Sequence, residues 1–211
     1  MYDVSDALPV ALLAPGTNVL LSGTSRASSR DLLLDVLAEG ARQGEGTLVL
    51  TTDRAAAAVR SDLSERSPDG AGAVGVVDCA ADEAAPSEPD PMTRHVDSPA
   101  DFTGAGVAAS ELLAELGHDH AQIRVGVDSV SGLLAHADAK TVFRFLHVLT
   151  GRIGAADAVG VATIDDDAHD AQTVTTIRQL FDGLVEVRGE GEDRRLRVTG
   201  LADADGEWGR A

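Results

Sequence analysis

Apolar runs and helical stripes alternate along almost the whole chain. Residues 18–22 (NVLLS) form a short apolar run closed by Gly23. Residues 29–43 follow with helical spacing, placing Leu33, Leu37 and Ala41 on one face and Val36 beside them. Ser28 or Ser29 is positioned to cap this helix, with Asp31 in its first turn and Gly44 and Gly46 ending it. Residues 47–52 read as a second strand, Asp53 follows, and residues 55–63 read as a short helix. After a turn over 67–72, residues 74–78 read as a third strand.

Residues 80–100 are rich in Pro, Asp, Glu and Ala and predict a loop with little structure of its own. A helix over 104–116, a turn over 117–122 and a strand over 123–127 entering Asp128 come next. Residues 138–156 predict a long helix with Val142, Phe145, Leu149 and Ile153 near one face. A strand over 158–164, an acidic loop over 165–170 and a helix over 173–181 follow. Residues 183–188 and 196–199 read as a hairpin around the turn at 189–193, and the chain frays from Leu201 on. Continuously apolar strands alternating with helices predict an α/β three-layer sandwich: a mostly parallel sheet, helices on both faces and an antiparallel C-terminal edge. The pattern predicts a single domain over 1–211, with a core from about 17 to 200 and short terminal tails.

The chain's 211 residues suit one such domain. Aromatics are only 3%, so the core falls to Val, Leu, Ile and Ala. Charge changes the picture more. The formal net charge is −18, and Lys140 is the only lysine. An acidic, lysine-poor surface predicts a protein of a salt-loving cytoplasm, where salt screens the self-repulsion of its carboxylates. It argues against nucleic acid and acidic lipid as partners, because both call for a basic face. Cys79 is the only cysteine, which excludes an internal disulfide and predicts a small buried apolar residue. The first ten residues lack a basic n-region, and no apolar run reaches membrane-spanning length, so a cytoplasmic location is expected.

Candidate chemistry sits at three strand ends. After the first strand the chain reads Gly23, Thr24, Ser25, Arg26, Ala27, Ser28, Ser29, Arg30. A phosphate-binding loop has the pattern GxxxxGK[ST] in this strand-to-helix context. Here only the first glycine remains. Ser28 stands in the second glycine's place, Ser29 in the lysine's and Arg30 in that of the Mg²⁺-binding hydroxyl. Loss of the lysine removes charge-assisted hydrogen bonds worth about 1.5–3 kcal/mol each. The helix N-terminus, with Arg26 and Arg30, still favours weak anion binding. The run 123–129 (IRVGVDS) has the shape of a Walker B strand, in which Asp128 followed by Ser129 holds Mg²⁺ through water. Asp53 ends the second strand, where a helix cap for residue 55 onward is the plainer alternative.

Together these segments resemble the RecA/KaiC-like ATPases, in particular the archaeal single-domain KaiC-like proteins. NVLLSG, DLLLDVLAEGARQGEGTLVLTTD, VGVDSVSGLL, TVFRFLHVLTGRI, TIRQLFDGLVEVR and LRVTG carry the resemblance, over residues 17–200. It implies a sheet in which the strand at 158 lies between those bearing Gly23 and Asp128. It also implies nucleotide at the loop 23–30, Asp53, Asp128 and Ser129, and assembly into rings or filaments. The departures in the loop point instead to a pseudo-ATPase that keeps the scaffold, needs no cofactor and acts through a protein partner or homo-oligomer. An ATP- and Mg²⁺-binding switch or weak ATPase is the alternative. A metal-dependent hydrolase using Asp53, Asp78, Asp128 and Asp165 is a further one, since ligands of open α/β sheets bind at carboxyl strand ends. His118, His120 and His169 stand beside acidic residues, but their surroundings predict solvated surface rather than a metal site.

Overall fold

The computed structural model describes residues 1–68, 70, 72–80 and 90–210. Two short strands, β1 (Tyr2–Asp3) and β2 (Leu12–Leu13), pair antiparallel at the start. Then come β3 (Asn18–Gly23), α1 (Arg26–Arg42), β4 (Gly46–Thr51), α2 (Ala56–Arg66), β5 (Val74–Asp78) and β6 (Thr93–His95). The middle of the chain supplies α3 (Phe102–Asp119), β7 (Ile123–Asp128), α4 (Val130–Leu134), α5 (Ala139–Ala155) and β8 (Val159–Asp165). It closes with α6 (Ala171–Arg178), β9 (Gly183–Arg188), β10 (Arg195–Thr199) and β11 (Trp208–Arg210).

Nine strands form one sheet in the order β11-β10-β9-β3-β8-β7-β4-β5-β6. All neighbours from β9 to β6 are parallel, and β9-β10 and β10-β11 are antiparallel. The three-layer sandwich with an antiparallel C-terminal edge is therefore the architecture. Strand β8 lies between β3 and β7, as the resemblance implied. Alternation along each strand divides the core in two. Val19, Leu21 and Val49 pack with α1, α2 and the N-terminal residues, while Leu20, Leu48 and Leu50 pack with α3, α4, α5 and α6. Cys79 lies in the second cluster, fully buried, as its type suggested.

Both termini depart from the short tails expected, the C-terminal one frayed from Leu201 on. Tyr2, Val4, Leu8 and Val10 are buried against the α1 side of the sheet. The Tyr2 hydroxyl donates to the Asp157 carbonyl at 2.8 Å and accepts from the Ile123 amide at 3.2 Å. At the other end Trp208 lies under the guanidinium groups of Arg188 and Arg197, 4.3 and 5.0 Å from its ring centre, which holds β11 on β10. The predicted loop 80–100 is also corrected in part. Residues 81–89 lie outside the described residues, but Thr93–His95 pairs in parallel with β5 as β6. The turn expected at 117–122 starts later, because α3 continues to Asp119.

Arg124 on β7 is the largest surprise of the interior. It is fully buried, bonds Glu45 through two oxygens at 2.7 and 3.2 Å, and donates to the carbonyls of Val36 and Asp3 at 2.7 and 2.6 Å. One guanidinium thus ties the N-terminal segment, α1 and the sheet together.

Candidate functional site

The site forms where β3, β7 and β4 end and α1 begins. The predicted eight-residue loop is much shorter in the fold. Thr24 and Ser25 alone join β3 to α1, and Arg26 to Arg30 already belong to the helix. Ser25, not Ser28 or Ser29, is the cap, because its hydroxyl oxygen accepts the Ser28 amide at 3.3 Å and its carbonyl accepts the Ser29 amide at 3.1 Å. This three-residue shift removes Asp31 from the first turn and pairs it instead with Arg66 at 2.7 Å.

Ser28 and Ser29, in the positions of the second glycine and the lysine, are buried. The Ser28 hydroxyl donates to the Gly189 carbonyl at 2.8 Å, and Ser25 donates to Glu190 at 2.7 Å. Thus the turn before β10 closes over the start of α1. Gly23 permits this packing: a Cβ there would lie 2.8 Å from Ser29 Oγ and 3.0 Å from the Val187 carbonyl oxygen. Ala27 faces the surface.

Arg26 and Arg30 are four residues apart and leave the same side of α1. Both reach the same carboxylate. Arg26 Nη1 bonds Asp53 Oδ2 at 2.8 Å, and Arg30 Nη2 bonds Asp53 Oδ1 at 3.0 Å. Arg30 Nε then bonds Asp128 Oδ2 at 2.6 Å, and Arg26 Nη2 bonds Ser129 Oγ at 3.2 Å. The result is an arginine–aspartate lattice running from solvent at Arg26 to the interior at Asp128, which is 4% exposed. Burial pushes the Asp128 carboxyl up, and the Arg30 guanidinium pulls it back only in part. Burial also works to discharge Arg30, but its bonds to Asp128 and Asp53 outweigh that and hold it above the usual arginine value. The outer pair contributes little to stability, since exposed ion pairs give about 0–1 kcal/mol.

The strand ends are fixed to each other as well. Asp128 pairs in register with Thr51, its carbonyl accepts the Thr52 amide at 3.0 Å, and the Thr52 hydroxyl accepts the Ser129 amide at 3.2 Å. The Asp128–Ser129 peptide is cis. Ser129 Oγ also caps α4 by accepting the Gly132 amide at 3.1 Å. The structure therefore brings Arg26, Arg30, Asp53, Asp128 and Ser129 together. Gly23 and Ser29 pack behind them, while Thr24 and Ala27 stay at the surface.

Asp53 is not a helix cap, a correction to the plainer expectation. Asp78 does that work, accepting the Ala56 amide at 2.8 Å and the Ala80 amide at 3.0 Å. Asp165 accepts the Asp167 amide at 3.2 Å, and Asp166 accepts the Ser22 hydroxyl and is pushed up, chiefly by burial. His169 meets the Ser131 hydroxyl at 2.9 Å. Among the described residues no three His, Cys, Asp or Glu side chains are grouped to hold a metal ion. Of the four carboxylates of the hydrolase alternative, Asp53 and Asp128 share Arg30, Asp78 caps α2 and Asp165 accepts a backbone amide. The sequence did not single out Thr52 or Glu190, and only the fold shows that they close the site.

Residues 16–187, four-fifths of the chain and all the strand ends just described, match one family model. The chain belongs to DUF7504, a family of unknown function. The DUF7504 match begins after the N-terminal pair of strands and ends within β9, so the Arg26, Arg30, Asp53 and Asp128 lattice lies wholly inside it. Glu190, which touches Ser25, lies just beyond it. No curated protein matches the chain.

Proposed function

We propose that this chain is a RecA/KaiC-like pseudo-ATPase, a non-catalytic α/β scaffold that works in regulation, signalling or assembly through contacts with other proteins. One observation carries the reading: Arg30 lies between Asp53 and Asp128, so the site's own carboxylates already neutralise its inner cation. A triphosphate needs free positive charge and a backbone loop curled around it. Here the helix starts early, a buried serine stands where a lysine would reach the phosphates, and Asp128 has a guanidinium as its cation. Binding a nucleotide would first require breaking bonds at 2.6 to 3.0 Å.

The acidic surface fits work in a salty cytoplasm, and no helix among the described residues is long and apolar enough to cross a membrane. The test is ATP hydrolysis by purified protein with Mg²⁺, in dilute and in molar KCl. We expect no turnover that depends on Asp128; hydrolysis abolished by Asp128→Asn would end the proposal.

A second reading, a nucleotide-binding switch, has one observation in its favour. Asp128 Oδ1 and Ser29 Oγ are buried and have no hydrogen-bond partner among the described residues. Buried polar atoms without partners cost about 1–3 kcal/mol each, and a ligand that opened the arginine lattice would recover that. Saturable calorimetric binding of Mg²⁺–ATP would favour the switch.

A further inference from the structure

Helices α3 and α5 lie side by side on the face opposite α1, with the Phe102 and Phe145 rings 5.2 Å apart and tilted. Between them runs a groove of about 350 Å³. Val107 and Val148 line it and are 51% and 53% exposed, among the few large apolar side chains of the protein left so open. The groove side of α5 repeats at Thr141, Arg144, Phe145, Val148, Leu149 and Arg152. That is helical spacing, and of its apolar members Phe145 and Leu149 are buried in the core, which leaves Val148, with Val107 of α3, open to solvent.

The charge here is the inverse of the molecule's. The chain has 35 acidic and 17 basic residues, yet α5 contains Lys140, Arg144 and Arg152 and no Asp or Glu. The first nine residues of α3, 102–110, are acid-free too, and its Glu111 and Glu115 are taken up by Arg94. Among the described residues most other arginines meet a carboxylate, as at Arg54 with Asp62 and Arg66 with Asp31 and Asp35, whereas Arg178, Arg188, Arg195 and Arg210 do not. Among the described residues Lys140, Arg144 and Arg152 form no salt bridge; Arg144 bonds the Thr141 hydroxyl and Arg152 the Gly106 carbonyl, both at 3.3 Å, and the nearby carboxylate, Asp138, is spent on capping α5. A groove with Val107 and Val148 open to solvent and cations at its rim, on a protein of charge −18, is complementary to apolar knobs flanked by carboxylates.

We infer that the α3–α5 groove docks an acidic amphipathic helix of another protein. A helix suits a channel between two adjacent helices, inserting apolar residues at i, i+3, i+4 and i+7. Its carboxylates meet Arg144 and Arg152, the two rim arginines. A groove-to-groove contact between two copies is disfavoured, because it would set Arg144 and Arg152 against the same arginines. The inference takes from the proposed function only that the chain works through a protein partner, and it uses none of the residues of the arginine lattice.

The test selects peptides from a random display library on the intact chain, then measures the recovered peptides by fluorescence anisotropy. The expected winners are acidic and carry apolar residues at helical spacing. Val148→Asp, at a half-exposed position, weakens them at least about tenfold while circular dichroism and melting stay unchanged. The pair Arg144→Glu and Arg152→Glu also weakens them and flattens the salt dependence. Recovery of neutral or basic peptides, or binding indifferent to these variants, overturns the inference. So does self-association in sedimentation that Val148→Asp abolishes, which would make a second copy the occupant. Capture by phosphatidylserine vesicles lost in the same variant would make it a membrane and equally overturn it. Hydrolysis of ATP by the wild type would defeat the pseudo-ATPase reading and leave the peptide result standing, so the two failures are separable.

Discussion

Replacing Arg124 with leucine removes the cation from a site that contains two buried carboxylates. The guanidinium is fully buried and makes four bonds, two to Glu45 and one each to the Val36 and Asp3 carbonyls. Glu39 Oε2 lies 3.9 Å from it and has no hydrogen-bond partner among the described residues. Breaking a buried pair by deleting one member costs about 3–5 kcal/mol, because the remaining charge is left without compensation. For a chain of this size each kcal/mol moves the midpoint by about 2–4 °C, so Tm falls by about 6–20 °C. The assay is thermal unfolding followed by circular dichroism at fixed KCl. The pH dependence supplies a second readout. Burial already pushes the Glu39 carboxyl above its ordinary value of 4.5, and loss of Arg124 pushes it further. A raised carboxyl contributes stability that is fully present below the unfolded value and is lost as pH rises through the folded one. The variant's deficit is therefore larger at pH 7 than near pH 4.5. Adding Glu45→Gln to Arg124→Leu recovers part of the loss, since a neutral amide needs no cation. A Tm drop below about 2 °C, or a double variant whose losses simply add, would refute the reasoning.

Gly132→Ala tests the junction behind Asp128. A Cβ there would lie 2.0 Å from Thr52 Oγ1, so Thr52 must move; urea unfolding should show a loss of about 1–3 kcal/mol. Tyr2→Phe leaves the Ile123 amide without its partner and should cost about 1–3 kcal/mol, measured the same way. Burial pushes the Cys79 thiol up to about 12 from 9.0, so at pH 8 only about one molecule in ten thousand is thiolate. Native protein should therefore resist a thiol reagent at pH 8 and react fully once unfolded, as absorbance of the released chromophore would show.

The sheet and its helices were legible because their signals are local and repeated. Continuous apolar runs such as NVLLS and the stripe Val142, Phe145, Leu149, Ile153 need no knowledge of distant residues. What the sequence concealed depends on long-range partners. The start of α1 was misplaced because several serines compete as caps, and the turn before β10, with Glu190 and the Gly189 carbonyl, helps fix Ser25 and Ser28 in their roles. Asp53 and Asp78 are both strand-end aspartates, and only their neighbours decide that one meets arginines while the other caps α2. Strand β6 and the Trp208 strand were missed because each is only three residues long, too short for an alternating pattern, and is held by an adjacent strand instead. The residues of the arginine–aspartate lattice, Arg26, Arg30, Asp53, Asp128 and Ser129, were all named from the sequence. Their pairing was not, because charges of opposite sign at different strand ends are equally compatible with a bound ligand and with each other.

Calorimetric titration of Mg²⁺–ATP into the wild type and into Asp53→Asn, side by side, bears most directly on that pairing. Asp53 holds both arginines, so its amide variant frees positive charge at the start of α1. The account predicts no saturable heat for the wild type up to millimolar nucleotide and measurable, salt-sensitive phosphate binding in the variant. Saturable wild-type binding below that range, lost on Arg30→Ala, would contradict it.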